Sequence, residues 1–314
     1  MKKLIVASFT LLIVVSCAGT TSTNDEVSQQ NTVLEPGEQN LPIDDTIQEA
    51  NLIVASFNIQ NFGKTKMRER PLVVDTLVSI FLKYDVIAVQ EISHKNGDTP
   101  QRFLDSLNKY SDDPFEMLIS ERSGTQANDI SSQEQYGFYF KKDKIQKLDE
   151  GVIYPDEEND FFQREPYMAH FKSADGDFDF VLITVHTAPA KSENPDITLN
   201  EVSSLDEVIK WARLHYPGEK DFIVVGDFNA DCSYVDEDDL EELDIKKNYT
   251  WLIPNTEKTN LARTVDCTYD RIVITSECNE NFNGNWGVDR SFTSKKVSDH
   301  WPVWAEFKVL GDSD

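Results

Sequence analysis

The stretch "VVGDFNADCSYV" (residues 224–235) reads as a buried strand as far as Gly226 and then changes character. Asp227, Asn229 and Asp231 follow within five positions, and Cys232 comes next. Asp and Asn readily build turns after a strand, so this segment alone leaves open whether they turn the chain or do chemistry. Working outward, the same arrangement recurs. Strand 52–59 (LIVASFNI) delivers Asn58 near its end, 85–92 (DVIAVQEI) delivers Glu91, and 179–187 (DFVLITVHT) delivers His186. "TYDR" sets Asp270 at the start of a strand, and "SDHWPV" sets Asp299 and His300 just before another. Strand ends are where a sheet protein presents polar side chains without breaking its core. Asn58 could instead cap a turn, Glu91 could simply end its strand, and a lone histidine is more often structural than catalytic. The joint order of these residues is what favours a site.

Further strands are expected at 115–121, 136–141 (YGFYFK), 222–228 (FIVVGDF), 269–275 (YDRIVIT) and 301–307 (WPVWAEF), from apolar runs rich in β-branched residues. Helices are expected at 70–83, 101–110 and 201–216. In the last of these, Leu205, Val208, Ile209 and Ala212 recur at three- and four-residue spacing. Strands with few helices between them suggest sheets packed together with helices outside. No repeat of solenoid period is visible.

With 314 residues and 39% apolar content, the chain can bury a sizeable core, as one large domain or two intimately joined layers. Its formal charge of −26 argues against a basic groove for nucleic acid, and slows the approach of a polyanion unless cations or local positive residues offset it. The run "DEDDLEELD" (236–244) reads as a solvated face. Residues 1–16 read as a signal peptide: Lys2 and Lys3 precede "LIVASFTLLIVV", shorter than the roughly 20 residues that span a bilayer. The stretch ends in "VVSC", which resembles the lipobox of bacterial lipoproteins, so Cys17 is expected to carry lipid; an ordinary secretory peptide with an incidental cysteine is the alternative. Losing Lys2 and Lys3 takes the charge from −26 to −28. Residues 17–50 are expected to form the lipidated cysteine and a flexible acidic tether, 51–309 the folded domain and 310–314 a tail. This organisation predicts a monomer without a protein partner, lipid-anchored in a bacterial cell envelope and facing the periplasm or the extracellular space.

The segments "SFNIQNFGKTKM" (56–67), "IAVQEI" (87–92), "FFQREP" (161–166), "VHTAPA" (185–190), "VVGDFNADCSYV" (224–235), "WLIP" (251–254), "CTYDRIVI" (267–274) and "SDHWPV" (298–303) resemble, in order, deoxyribonuclease I-like nucleases of the endonuclease/exonuclease/phosphatase superfamily. The resemblance runs from Leu52 to Phe307. It implies a four-layer α/β-β/α sandwich of two packed mixed sheets with helices on both outer faces. It also implies a secreted, metal-dependent endonuclease that hydrolyses DNA to 5′-phosphate ends. By the match at each motif, Glu91, Asn58 and Asp299 would hold Mg²⁺ or Mn²⁺, hard ions suited to oxygen donors, while Asp227 and Asn229 position metal and phosphate. His300, oriented by Asp270, resembles the base that activates water; His186, paired with Glu134 of "SSQEQY", resembles the acid that protonates the leaving 3′ oxygen. Arg164 would bind phosphate. The resemblance further implies a disulfide between Cys232 and Cys267, which leaves Cys278 unpaired in an apolar role, and a structural Ca²⁺ at Asp156, Asp160, the Phe162 carbonyl and Glu165.

Departures from the pattern concern substrate. Gln60, Ser93 and Ser132 stand where pancreatic enzymes present two arginines and a tyrosine to the minor groove, so duplex DNA should be gripped more weakly. Lys258 occupies a second calcium loop, near 258–264, where a carboxylate is expected. Two rival readings follow: a phosphodiesterase or phosphatase acting on RNA, sphingomyelin or inositol phosphates, and a catalytically silent surface lipoprotein that binds a partner.

Overall fold

The computed structural model describes residues 50–93, 97–124, 133–156, 159–261 and 265–314. Cys17, the tether and Ser132 lie outside these. The described residues fall in one compact unit, Ile47–Asp314. Its first sheet runs β12 (Phe282–Val288), β13 (Val303–Lys308), β1 (Asn51–Phe62), β2 (Val86–Ile92), β4 (Gln135–Lys141), β3 (Phe115–Ile119). The second runs β10 (Thr250–Trp251), β11 (Asp270–Ile274), β9 (Phe222–Asp227), β8 (Asp179–His186), β7 (Tyr167–Ser173), β5 (Ile145–Lys147), with β6 (Val152–Ile153) also on β7. In each sheet the central pair is parallel, β1 with β2 and β8 with β9, and the flanking strands run antiparallel to that pair.

Side-chain alternation sorts the core into three apolar layers. Along β1, Leu52 and Val54 face the second sheet and join Val86, Phe138, Phe171, Leu182 and Ile272 between the sheets. Ala55, Phe57 and Ile59 point the other way, under α2 (Pro71–Phe81) and α3 (Thr99–Asn108), with Phe81 and Phe103. Val181, Ile183 and Val224 pack under α4 (Ile197–His215), whose Val202, Leu205, Val208, Ile209 and Ala212 form its buried stripe. The result is the four-layer sandwich expected, two mixed sheets with helices on both outer faces. No helix among the described residues is long and apolar enough to cross a membrane.

The expected strands and helices are present, with ends displaced by at most four residues. Two substantial strands escape the sequence pattern. β7 (YMAHFKS) carries His170 and Lys172 on a half-exposed stretch, and β12 (FNGNWGV) is an edge strand with two glycines and little buried surface. The acidic run 236–244 is a correction in part. Asp236 caps α5 (Glu237–Glu241) by accepting from the Asp238 N–H, the acidic first turn complements the helix dipole, and Leu240 is buried.

Candidate active site

Topology alone gathers the polar residues. Asn58 and Glu91 lie toward the C-terminal ends of β1 and β2, and His186 and Asp227 end β8 and β9. The antiparallel neighbours begin at that same pole, so Asp270 opens β11 opposite Asp227, Glu134 precedes β4, and Asp299 and His300 precede β13.

Local backbone then aims them. Gly226 has φ +148°, and a Cβ there would lie 1.9 Å from the Val185 carbonyl oxygen, so only glycine lets β9 run this close to β8 before Asp227. Glu91 has φ +61° where the pairing of β2 with β4 slips between Val89 and Ile92. That bulge re-aims the carboxylate, whose Oε2 accepts the Asn61 N–H at 2.7 Å. Asn229, at φ +48°, lets its N–H reach Asp227 Oδ1 at 3.0 Å and its amide donate to the Thr187 carbonyl at 2.9 Å.

Two imidazole–carboxylate pairs converge on one oxygen. His186 Nδ1 lies 2.9 Å from Glu134 Oε2, and His300 Nδ1 lies 2.8 Å from Asp270 Oδ2. Their Nε2 atoms stand 3.7 and 3.6 Å from the same Asp227 Oδ2, which also accepts the Asn58 amide at 3.0 Å. All of these contacts except His186–Asp227 cross from one sheet to the other: Glu134, His300 and Asn58 come from the first, His186, Asp270 and Asp227 from the second. Beneath them Gln90 donates to Ser56 within its own sheet and to Thr184 across the seam, at 3.1 and 2.8 Å.

The electrostatics follow from burial and these partners. Burial and the Arg164 charge pull His186 down, but Glu134 and Asp227 outweigh them and its pKa is raised. Burial likewise opposes protonation of His300, yet Asp270, Asp227 and Asp299 hold it well above the ordinary histidine value. Glu134 resists its own burial and is lowered by His186, Arg164 and Arg122.

Asn58 Oδ1 and Asp299 Oδ1 are buried without hydrogen-bond partners, beside the half-exposed Glu91 carboxylate. A buried amide oxygen left unpaired is costly, and this all-oxygen set fits a hard divalent cation. Asp156 Oδ1 is likewise buried and unpaired, in a loop where Asp160 sits at φ +51° and Asp160 and Glu165 act on Asp156 electrostatically; these donors fit calcium. Phe162 donates its N–H to Asp156 Oδ2 at 2.7 Å. A cleft of about 590 Å³ lies beside this loop, lined by Asp160, Phe162, Asn194 and Glu201, away from the imidazoles.

Supporting residues surround these pairs; the sequence singles out Arg164, Gln60 and the cysteines but not Glu201, Lys66 or Arg271. Arg164 spends Nε on the His186 carbonyl and a terminal nitrogen on the Thr187 carbonyl, so it braces the strand end while lending charge to Glu134, 3.7 Å away. Glu201 is fully buried and accepts the N–H groups of Gln163 and Ala188, tying together the two loops that flank His186. Its signal is a carboxylate four residues before Leu205 on the apolar stripe of α4. Lys66 donates to the Ile59 and Val297 carbonyls; burial pulls its pKa down to about 8 against the attraction of Glu91 and Asp299. Arg271 donates to the Ile253 and Ala230 carbonyls, and burial lowers it to about 10. Gln60 turns to Asp299, donating to Oδ2 at 2.8 Å. Cys232 and Cys267 form the disulfide, with Cα atoms 5.8 Å apart, and Cys278 is free and buried.

A two-sheet sandwich whose seam is bridged by imidazole–carboxylate pairs beside a hard-cation ligand set defines a hydrolytic centre for phosphoesters. The family model described as the Endonuclease/Exonuclease/phosphatase family matches residues 55–300, and the chain belongs to that family, as a deoxyribonuclease I-like member. It is 32% identical over 271 residues to deoxyribonuclease-1 of Homo sapiens, covering 81% of this chain and 91% of that protein. Among solved structures, an endonuclease/exonuclease/phosphatase from Bacteroides vulgatus matches with a TM-score of 0.59 at 15% identity, covering 82% of this chain and 98% of that one. A mannosyl-6-phosphatase from Bacteroides thetaiotaomicron matches at 0.54 and 13% identity, covering 82% and 99%. The chain is a phosphodiesterase-type hydrolase of a divalent-metal-dependent family.

Proposed function

We propose that this protein is a Mg²⁺-dependent endonuclease that hydrolyses DNA to 5′-phosphate ends, held on a bacterial cell envelope through lipid on Cys17. The observation that carries the reading is the pair of imidazole Nε2 atoms at 3.6 and 3.7 Å from one Asp227 oxygen, each backed by its own carboxylate. In this reading the scissile phosphate binds between a base and an acid. His300 Nε2 takes the proton of the attacking water, and Asp270 keeps the imidazole in the tautomer that can accept it. His186 Nε2, protonated through Glu134, gives its proton to the departing 3′ oxygen. Asn58, Glu91 and Asp299 would hold the cation, which when bound stabilises charge on the phosphoryl oxygens and opposes protonation of the imidazoles. Asp227 and Asn229 orient the phosphate, and Arg164 keeps Glu134 ionised. Asp156, Asp160 and Glu165 would hold a structural calcium.

Digestion of duplex DNA, single-stranded DNA and RNA by residues 18–314 tests this, with Mg²⁺, with Mg²⁺ plus Ca²⁺, and with chelator. Acid-soluble nucleotides ending in 5′-phosphate are expected with Mg²⁺ and none with chelator. A second reading, a phosphatase or a phosphodiesterase for smaller esters, draws support from the −26 charge and from Gln60, which stands where an arginine is expected and donates to Asp299. Release of phosphate or phosphocholine without nucleotides would select it. Cys17→Ser should free the full-length protein from membranes, and continued membrane association would contradict the anchor.

A further inference from the structure

We propose that the pole of the second sheet opposite the imidazoles holds a calcium ion between Glu219, Asp221 and Asp314. Asp221 immediately precedes β9 and Asp179 opens β8, so this group sits at the N-terminal ends of the two strands whose C-terminal ends carry Asp227 and His186. Ligand atoms of Glu219, Asp221 and Asp314 all lie within 4.8 Å of one another, and those of His170, Asp179 and Glu219 form a second such group sharing Glu219.

The independent sign of a ligand is Asp221 itself. Its side chain is only 3% exposed, and Oδ1 is buried without a hydrogen-bond partner. A carboxylate is seldom buried so fully unless it is paired or coordinates a metal. No nearby basic group reaches Asp221: Lys172 lies 3.1 Å from Asp179 Oδ1, and His170 Nε2 lies 3.0 Å from Asp179 and 2.9 Å from Glu219, where it pairs with one oxygen of that carboxylate. Among the described residues no ion pair reaches Asp221 or Asp314.

Calcium answers this charge best. The three donors are all carboxylate, they come from a short turn and the end of the described chain, and calcium accepts irregular sets of six to eight oxygens with water completing the shell. Mg²⁺ demands a near-ideal octahedron and gives up its waters reluctantly. A cleft of about 350 Å³, lined by His170, His215, Tyr216, Glu219 and Asp314, provides a path from solvent. The site is separate from the residues assigned above to Mg²⁺ and to the loop calcium, and does not depend on the nuclease reading.

The test is equilibrium dialysis of the chelator-stripped full chain against Ca²⁺ alone, with bound calcium counted per chain in the wild type, Asp221→Asn and Asp314→Asn. Each variant is expected to bind one ion fewer and to lose part of the calcium-dependent rise in melting midpoint, while retaining Mg²⁺-dependent hydrolysis. Asp314→Asn changes a terminal residue and is read even if Asp221→Asn does not fold. A calcium count unchanged in Asp314→Asn, or in folded Asp221→Asn, overturns the proposal. A proton shared between Asp221 and Asp314 in place of an ion shows as a higher melting midpoint for Asp221→Asn with the calcium count unaltered, which also overturns it.

Discussion

Asp227 Oδ2 lies between two imidazole nitrogens, so the protonation of either ring is felt by the other through a single carboxylate. His300→Ala should cost at least about 10²-fold in turnover, as for loss of a general base; near-normal single-turnover rates in that variant would remove His300 from the reaction. The pH dependence separates the second pair. His186 must be protonated to act as acid, so the alkaline limb of activity falls as pH rises through its raised pKa. In Glu134→Gln the raising influence is gone while burial and Arg164 still oppose the charge, so that limb should move to lower pH, read from a pH–rate profile. The same shifts bear on stability. The contribution of His186 is complete below about 6.5 and lost as pH rises through its raised folded value; that of Glu134 is present above about 4.5 and lost as pH falls through its lowered one. Gln60→Arg should tighten duplex DNA binding in a filter-binding assay, by adding a phosphate or groove contact; unchanged affinity would show that this position does not face substrate. The two histidines and Asp270 were legible because each ends or begins an apolar run, whereas Glu134 came only from the family resemblance. Lys66, Arg271 and Glu201 were not, because a charge inside a buried pattern looks like exposure until its backbone carbonyl or N–H partners are known.

At the scale of elements, the strand ends do the positioning and a few unusual backbone torsions do the aiming. Gly226→Ala would drive a Cβ into the Val185 carbonyl and force φ +148° on an alanine. We expect a loss beyond the roughly 1–3 kcal/mol typical of a strained residue, measured by urea denaturation, with lower activity in whatever remains folded. The core strands were readable because their apolar runs are buried on both faces. Glu91 shows the limit: the sequence places it at the end of β2, but the bulge that turns its side chain is a property of pairing with β4. β7 was hidden for a related reason. Its histidine and lysine are satisfied by Asp179 on the neighbouring strand, a pairing that the polar character of those positions does not reveal.

For the molecule as a whole, charge and cross-linking set the terms. A −26 protein meeting a polyanion should gain little from low ionic strength. KM for DNA is therefore expected to change weakly with added monovalent salt, or to improve, where a basic DNA-binding protein loses affinity steeply; a steep rise in KM would reveal a local basic track. Reducing the Cys232–Cys267 bond, with a separation of 35 residues, should cost roughly 3–4 kcal/mol on the loop-entropy model, read as a shift in denaturation midpoint. The two-sheet architecture was visible in the alternation of strands and helices; which strand pairs with which was not, since register depends on partners far apart in the chain.

The pairings that straddle the seam have a further consequence. Neither slab carries a complete proton relay: each imidazole borrows its carboxylate from the opposite side, and His300 lies just ahead of β13, the last of the described strands. A chain whose two sheets have not docked therefore holds neither pair, and both form when the sheets close on each other.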